Sequence, residues 1–145
     1  LPYQLPPAIT YAQASAAFVG DYSIFGFTSP IAGARYRFEV SPTAGQFQFT
    51  TATADYRRYF LARPVTFAFR GLHFGRYGRD SEDSTRIAPI YAGFPTFIRG
   101  YDVGNNLAAN ECRGTANSCP VFDRLIGSRV GVASAELRIP LLGVE

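Results

Sequence analysis

Ala34-Arg35-Tyr36-Arg37-Phe38-Glu39-Val40-Ser41 alternates ionisable and apolar side chains from Arg35 to Val40. In an extended chain successive side chains point to opposite sides, so Arg35, Arg37 and Glu39 share one face while Tyr36, Phe38 and Val40 share the other. A helical repeat would scatter both sets around a cylinder. The stretch therefore predicts a β-strand over about 34–41, charged on one side and greasy on the other. The same period recurs on either side of it. Ala14, Ala16 and Phe18 alternate with Gln13, Ser15 and Asp21 in a strand over about 13–21, and Gly26, Pro30 and Gly33 mark the turn that follows.

Downstream, Ser41-Pro42-Thr43-Ala44-Gly45 predicts a short turn before a strand over about 47–60, whose hydrophobic phase changes near Thr51 as at a β-bulge or a change of surroundings. Ala62-Arg63-Pro64 makes a tight connection into a strand over about 65–77, where Val65, Phe67 and Phe69 oppose Thr66, Ala68 and Arg70. A last strand over about 128–139 sets Ala133, Ala135, Leu137 and Ile139 against Ser134, Glu136 and Arg138. Helix signals are nearly absent, so the chain reads as an all-β, antiparallel up-and-down meander.

The 145 residues suit one domain, and 47% hydrophobic with 17% charged residues excludes a disordered tail. No run approaches the roughly 18 to 20 apolar residues of a membrane-spanning helix. All 14 basic residues are Arg, for a net charge of +3, and they are scattered along the chain rather than gathered as nucleic-acid binding requires. Cys112 and Cys119 lie in a Gly-, Asn- and Ser-rich stretch that reads as a local disulfide from an oxidising compartment. The single histidine, His73, is far from them in sequence and reads as an interface or lumen residue, which leaves no metal site. The chain opens at Leu1 without a methionine, a basic n-region or an apolar signal core, as a processed or excised piece would.

Which face is the core decides between two architectures. A soluble sandwich buries the greasy faces and wets the charged ones. A membrane barrel inverts this, with apolar side chains toward lipid and charged ones around a polar lumen. Strands of nine or more residues, with Tyr, Phe and Arg near their ends, favour the barrel over the usual five or six of soluble sheets. The lumen-facing set is then Arg35, Arg37, Glu39, Arg70, Ser134 and Arg138.

Between the last two strands lies a loop of about 79–126, far longer than structureless connections in compact domains. Its acidic run, Asp80, Glu82 and Asp83, reads as solvated loop. Ile87, Ile90, Tyr91, Phe94, Phe97 and Ile98 are costly to leave in water, so the loop is expected to fold back onto or into the protein.

Within that loop Tyr91-Ala92-Gly93 precedes Ile98-Arg99-Gly100-Tyr101, and Gly127-Ser128-Arg129-Val130-Gly131-Val132-Ala133-Ser134-Ala135-Glu136-Leu137 follows it. This order resembles the bacterial surface antigen family, the BamA- and TamA-like outer-membrane assembly barrels. That family carries a Val/Ile-Arg-Gly-Phe/Tyr signature at the tip of its sixth surface loop, after a Tyr-Ala-Gly-Gly-like segment whose second Gly is Phe94 here. Asp21 to Gly33 resembles a periplasmic turn of the family, and Asp55-Tyr56-Arg57-Arg58-Tyr59-Phe60 with Gly75-Arg76-Tyr77-Gly78 resembles the strands before that loop.

The resemblance implies that residues 1–145 are a partial barrel domain, about strands eight to twelve of sixteen, with one inward-folding loop. It implies that Arg99 anchors the loop, that Gly100 permits close backbone approach and that Ile98 and Tyr101 pack the tip. The family's aspartate partner for that arginine would lie beyond Glu145, and within these residues the acceptors are Glu136 or Asp55.

The implied function is insertion of β-barrel proteins into the bacterial outer membrane, or passage of polypeptides across it. Its partners would be outer-membrane lipids, the remaining strands of the barrel, unfolded outer-membrane or passenger substrates and accessory lipoproteins. No nucleic acid is implied. Two other readings are a barrel that anchors or exports an attached propeller or patatin-like domain, and a soluble β-sandwich that binds a ligand through its loop. No nucleophile elbow, zinc-protease helix or phosphate loop occurs, so no catalytic residue, cofactor or metal is expected.

Overall fold

The computed structural model describes residues 8–83, 87–94, 96–98 and 124–140. Every regular element of length among them is a strand, in the order β1 (Tyr11–Gln13), β2 (Ala16–Asp21), β3 (Ile24–Phe25), β4 (Pro30–Gly45), β5 (Phe49–Ala62), β6 (Val65–Tyr77), β7 (Ile90–Tyr91), β8 (Ile126–Gly127) and β9 (Arg129–Arg138). The main sheet is antiparallel and runs β1-β4-β5-β6-β9, with β2 and β3 also on β4. A separate two-stranded ladder joins β7 to β8.

Registers are unbroken from Gly33↔Tyr59 to Thr43↔Phe49, from Thr50↔Tyr77 to Ala62↔Val65 and from Thr66↔Arg138 to Gly75↔Arg129. Directly opposed residues share a face. One face therefore collects Asp21, Arg35, Arg37, Glu39, Asp55, Arg57, Arg70, Ser134, Glu136 and Arg138, and the other Phe18, Tyr36, Phe38, Tyr56, Phe60, Phe67, Phe69 and Leu137. The six residues expected to line a lumen all lie on the first, polar face.

Several boundaries differ from the sequence reading. Ser41–Gly45 is strand rather than turn, and the reversal falls at Gln46–Gln48, so the next strand starts at Phe49 and runs on to Ala62. Pro42 is tolerated because its missing N–H lies on the β2 side, where it removes a single ladder bond; its carbonyl still accepts from Ala14 N at 3.2 Å. That lost bond is also why the strand expected over 13–21 is two pieces, β1 and β2, in one register with β4. Strand β4 begins at Pro30 rather than at 34, after a bulge where β3 pairs Ile24 with Ala32 and Phe25 with Pro30. The strand expected over 128–139 spans Arg129–Arg138. The phase change near Thr51 is not a bulge, since Thr51 stays paired with Ser41 and Arg76 in continuous register.

Burial is inverted relative to a soluble sheet. On the polar side Thr66 is 1% exposed, and Ser41, Thr43, Tyr59, Ala68, Leu72 and Val130 are buried. On the apolar side Phe18 stands 66%, Phe69 46% and Leu137 54% exposed, with Phe38, Tyr56, Phe60 and Phe67 similarly open. Among the described residues no second layer covers that side. Burying such a side chain fully is worth roughly 1.5–3 kcal/mol, so these seven at about half exposure forgo about as much as the roughly 5–15 kcal/mol net stability of a whole domain.

Arg138 shows how the polar side is closed at the turn end. Flat, β4 and β9 would stand three spacings apart, about 14 Å. Yet Arg138 Nη1 donates to the Pro30 carbonyl at 3.1 Å, so the chain is rolled over the polar face there. Gly33, with φ of 94°, sits where β4 begins to pair with β5, and a Cβ on it would come within 2.3 Å of the Tyr22 carbonyl oxygen. Gly33→Ala is expected to cost about 1–3 kcal/mol, read as a lowered unfolding midpoint of the full protein.

Candidate functional site

The polar face divides along its length. Toward the loop end it carries Phe49, Leu72, Phe74, Val130 and Val132 together with Arg76, and toward the turn end most of its arginines and carboxylates. Arg76 in the first group and Arg70 in the second give the loop hydrogen-bonding partners. The charged half is built from pairs two residues apart on one strand, which period two places side by side. Arg37 donates to Glu39 through Nε at 2.9 Å and Nη2 at 2.6 Å, and Arg138 donates to Glu136 at 3.3 and 3.1 Å.

The third pair is part of a larger cluster. Arg57 and Arg70 stand directly opposite one another on β5 and β6, an arrangement that repels unless a carboxylate intervenes. Asp55 supplies it. Its Oδ1 accepts from Arg57 Nε at 3.1 Å and Arg70 Nε at 3.2 Å, and its Oδ2 from Arg57 Nη2 at 2.8 Å and Arg70 Nη2 at 3.0 Å. One carboxylate thus receives two planar forks, the geometry in which Arg outperforms Lys.

Arg70 has one more nitrogen, and it points at the loop: Nη1 donates to the Thr96 carbonyl at 3.0 Å. Arg76 does the same farther up, with Nη1 donating to the Ala88 carbonyl at 2.7 Å. Between these two points β7 pairs with β8, Ala92 N donates to the Leu125 carbonyl at 2.8 Å, and Ile90 is buried. Phe94 meets Tyr91 and Phe97 edge-on, at centroid distances of 5.4 and 6.4 Å. Gly93 lies beneath the Tyr91 ring, whose atoms come within 2.3 Å of where a Cβ would stand, so a side chain there would push the ring aside. The expected folding-back of the loop onto the protein is present in residues 87–94 and 96–98, on the polar side.

Thr96, Phe97 and Ile98 then roof a cavity of about 800 Å³ whose walls include Arg57, Tyr59, Arg70, Ser134, Glu136 and Arg138. It is lined by both signs of charge and by an aromatic ring, since the Arg138 guanidinium also lies 5.5 Å from the Tyr59 ring centroid. Such a wall can hold a polypeptide backbone or a loop through hydrogen bonds. The carboxylate in the cavity wall, Glu136, is paired with Arg138.

No family model, curated protein or solved structure matches this chain.

Of the residues singled out from sequence, Arg35, Arg37, Glu39, Arg70, Ser134 and Arg138 share the face with Asp55 and Glu136. Ile98 reaches the cavity, whereas Arg99, Gly100, Tyr101, Cys112 and Cys119 lie outside the described residues. Asp55 is engaged by Arg57 and Arg70. The acidic run is not simply solvated: Asp80 Oδ2 accepts the Gln48 backbone N–H at 2.7 Å, and Glu82 pairs with Arg129 at 3.7 Å. His73 lies on the apolar face, not the polar one.

Arg57 is the member of the cluster that sequence reading passes over. The spacing Asp55-x-Arg57 within a strand carries the signal, as it does for Arg37-x-Glu39 and Glu136-x-Arg138. Arg70→Gln is expected to remove the bond to Thr96 and raise hydrogen exchange or protease cleavage at residues 94–98 about tenfold, the size of one charge-assisted bond. Arg63→Gln, in the β5–β6 turn, is expected to leave that segment as protected as in the parent.

Proposed function

We propose that this chain is part of an outer-membrane β-barrel whose apolar face meets lipid and whose polar face surrounds an inner space holding the long loop. The activity it serves is insertion of β-barrel proteins into the outer membrane, or passage of polypeptides across it. The observation that carries the reading is the inversion of burial on strands as long as 16, 14 and 13 residues. About ten residues of tilted strand cross a bilayer, and the apolar faces are then covered by acyl chains.

The position of the loop supports the same reading. Its segment 96–98, held by Arg70, leads directly into the Arg99-Gly100-Tyr101 run that resembles the loop-tip signature of outer-membrane assembly barrels. An internal loop fastened by a few hydrogen bonds can remain in place or yield to a substrate chain, which is what a barrel that handles polypeptides needs. Paired charges on the wall serve this role because they satisfy each other when the space is empty, and can exchange partners with a passing backbone.

The soluble-sandwich alternative is disfavoured by the same observation, because it requires Phe38, Phe67 and Phe69 to lie between two layers. The complete protein is expected to resist extraction from membranes by urea or carbonate and to shift mobility on heating, as folded barrels do. Recovery of the complete protein as a detergent-free monomer would refute the proposal. In that protein Arg99→Ala is expected to open the loop to protease and lower assembly or export severalfold; unchanged protection with normal function would remove the loop from the mechanism.

A further inference from the structure

On the apolar face, at the loop end of β5, β6 and β9, three polar side chains converge over Gly75. Tyr77 and His73 lie on β6 either side of it, and Arg129 is its cross-strand partner on β9. His73 Nε2 and Tyr77 Oη are hydrogen-bonded at 2.5 Å, and the Arg129 guanidinium lies 4.8 Å from the Tyr77 ring centroid. A Cβ on Gly75 would stand 3.1 Å from His73 Nε2, 3.2 Å from Arg129 Cγ and 3.2 Å from Tyr77 Cε2, so the absent side chain is what lets all three close together. Among the described residues the carboxylate paired with Arg129 is Glu82, at 3.7 Å and 74% exposed, a screened contact that a better anion can displace.

Farther from the loop end the same face becomes shallow. Gly71 and Gly131 have nothing within 4 Å of where a Cβ would lie; across the strands Gly71 faces Ala133 on β9 and Tyr56 on β5, and Gly131 faces His73. A shallow strip thus runs along β9 over Gly131, Ala133 and Ala135, beside Gly71, from the cationic cluster to the level of Phe69. A cation and a hydroxyl at the head of an apolar strip match the chemistry of a lipid: phosphate above, acyl chain below.

We propose that Arg129, Tyr77 and His73 bind the phosphate of a membrane phospholipid, whose acyl chain lies over Gly71, Gly131 and Ala133. This rests on the membrane-barrel reading, since only there does the face meet lipid. Arg129 supplies the charge, and its stacking on Tyr77 holds the guanidinium toward the surface. The Tyr77 hydroxyl and the His73 ring, already bonded to each other, present the remaining polar edge.

The test uses the complete protein in a nonionic detergent, titrated with phosphatidylglycerol and separately with inorganic phosphate, bound lipid being counted by native mass spectrometry. Arg129→Gln is expected to weaken phosphatidylglycerol binding about fivefold, in line with one cation near a lipid surface. Tyr77→Phe, which keeps the ring but loses the hydroxyl, is expected to weaken it less. Arg58→Gln removes the outward arginine that lies 5.1 Å from the Phe60 ring centroid and is expected to change nothing. Heat-shifted mobility identifies variants that are still folded.

Equal binding by folded Arg129→Gln and the parent overturns the site while leaving the barrel reading intact. Displacement of the lipid by inorganic phosphate at matching affinity overturns the lipid assignment in favour of a free-anion site. A complete protein that fails to enter membranes at all overturns the barrel reading and the site with it.

Discussion

Unbroken register across β4, β5, β6 and β9 is the constraint on which everything else depends. Because opposed residues share a face, one shift by a single residue would send Asp55 to the apolar side and a tyrosine or alanine to the polar one. Held in phase, four strands pool their alternate residues into two surfaces of opposite chemistry. Neither surface exists on any one strand alone. Two of the three Arg–carboxylate pairs on the polar side are inherited directly from period two, and the third becomes a cluster only because Arg70 is delivered opposite Arg57.

That pooling explains why the more polar side is also the better packed. Ile90 of the loop is buried, and the arginines take up backbone carbonyls that a loop folded over a sheet would otherwise leave without donors. Arginine suits this work because a guanidinium bound to a carboxylate through two nitrogens has another directed elsewhere. Arg70 uses it on Thr96, and Arg138, already paired with Glu136, uses it on Pro30. The same residue type thus closes the polar side over its middle and at its turn end.

The long strands are legible in the sequence because each carries contrasting chemistry at period two; β6 is read to both of its ends, Val65 and Tyr77. The polar-face membership of Arg35, Arg37, Glu39, Arg70, Ser134 and Arg138 follows from the same pattern. What is not legible has local causes. Ser41–Gly45 has the composition of a turn, and only the position of Pro42 relative to β2 lets it remain strand. The β7–β8 ladder is two residues long, too short to show any period. The meeting of Asp55 with Arg70 depends on cross-strand register, which no single segment encodes, and the gathering of His73, Tyr77 and Arg129 depends on a glycine whose importance is the side chain it lacks.

The two edges of the sheet bear on the proposed barrel. Among the described residues β9 is paired only with β6, and β2 only with β4. In water such edges are managed by solvent, but in a hydrocarbon layer each unpaired N–H or C=O costs several kcal/mol, so the proposed barrel reading requires a partner strand beside each edge. The rolling of the turn end, where Arg138 of β9 reaches the start of β4, gives the sheet the sense of curvature that closure demands, with the charges inside. The loop then occupies the concave side, where a closing barrel would enclose it. Its fastening is to β6, one strand in from the β9 edge, through Arg70 and Arg76.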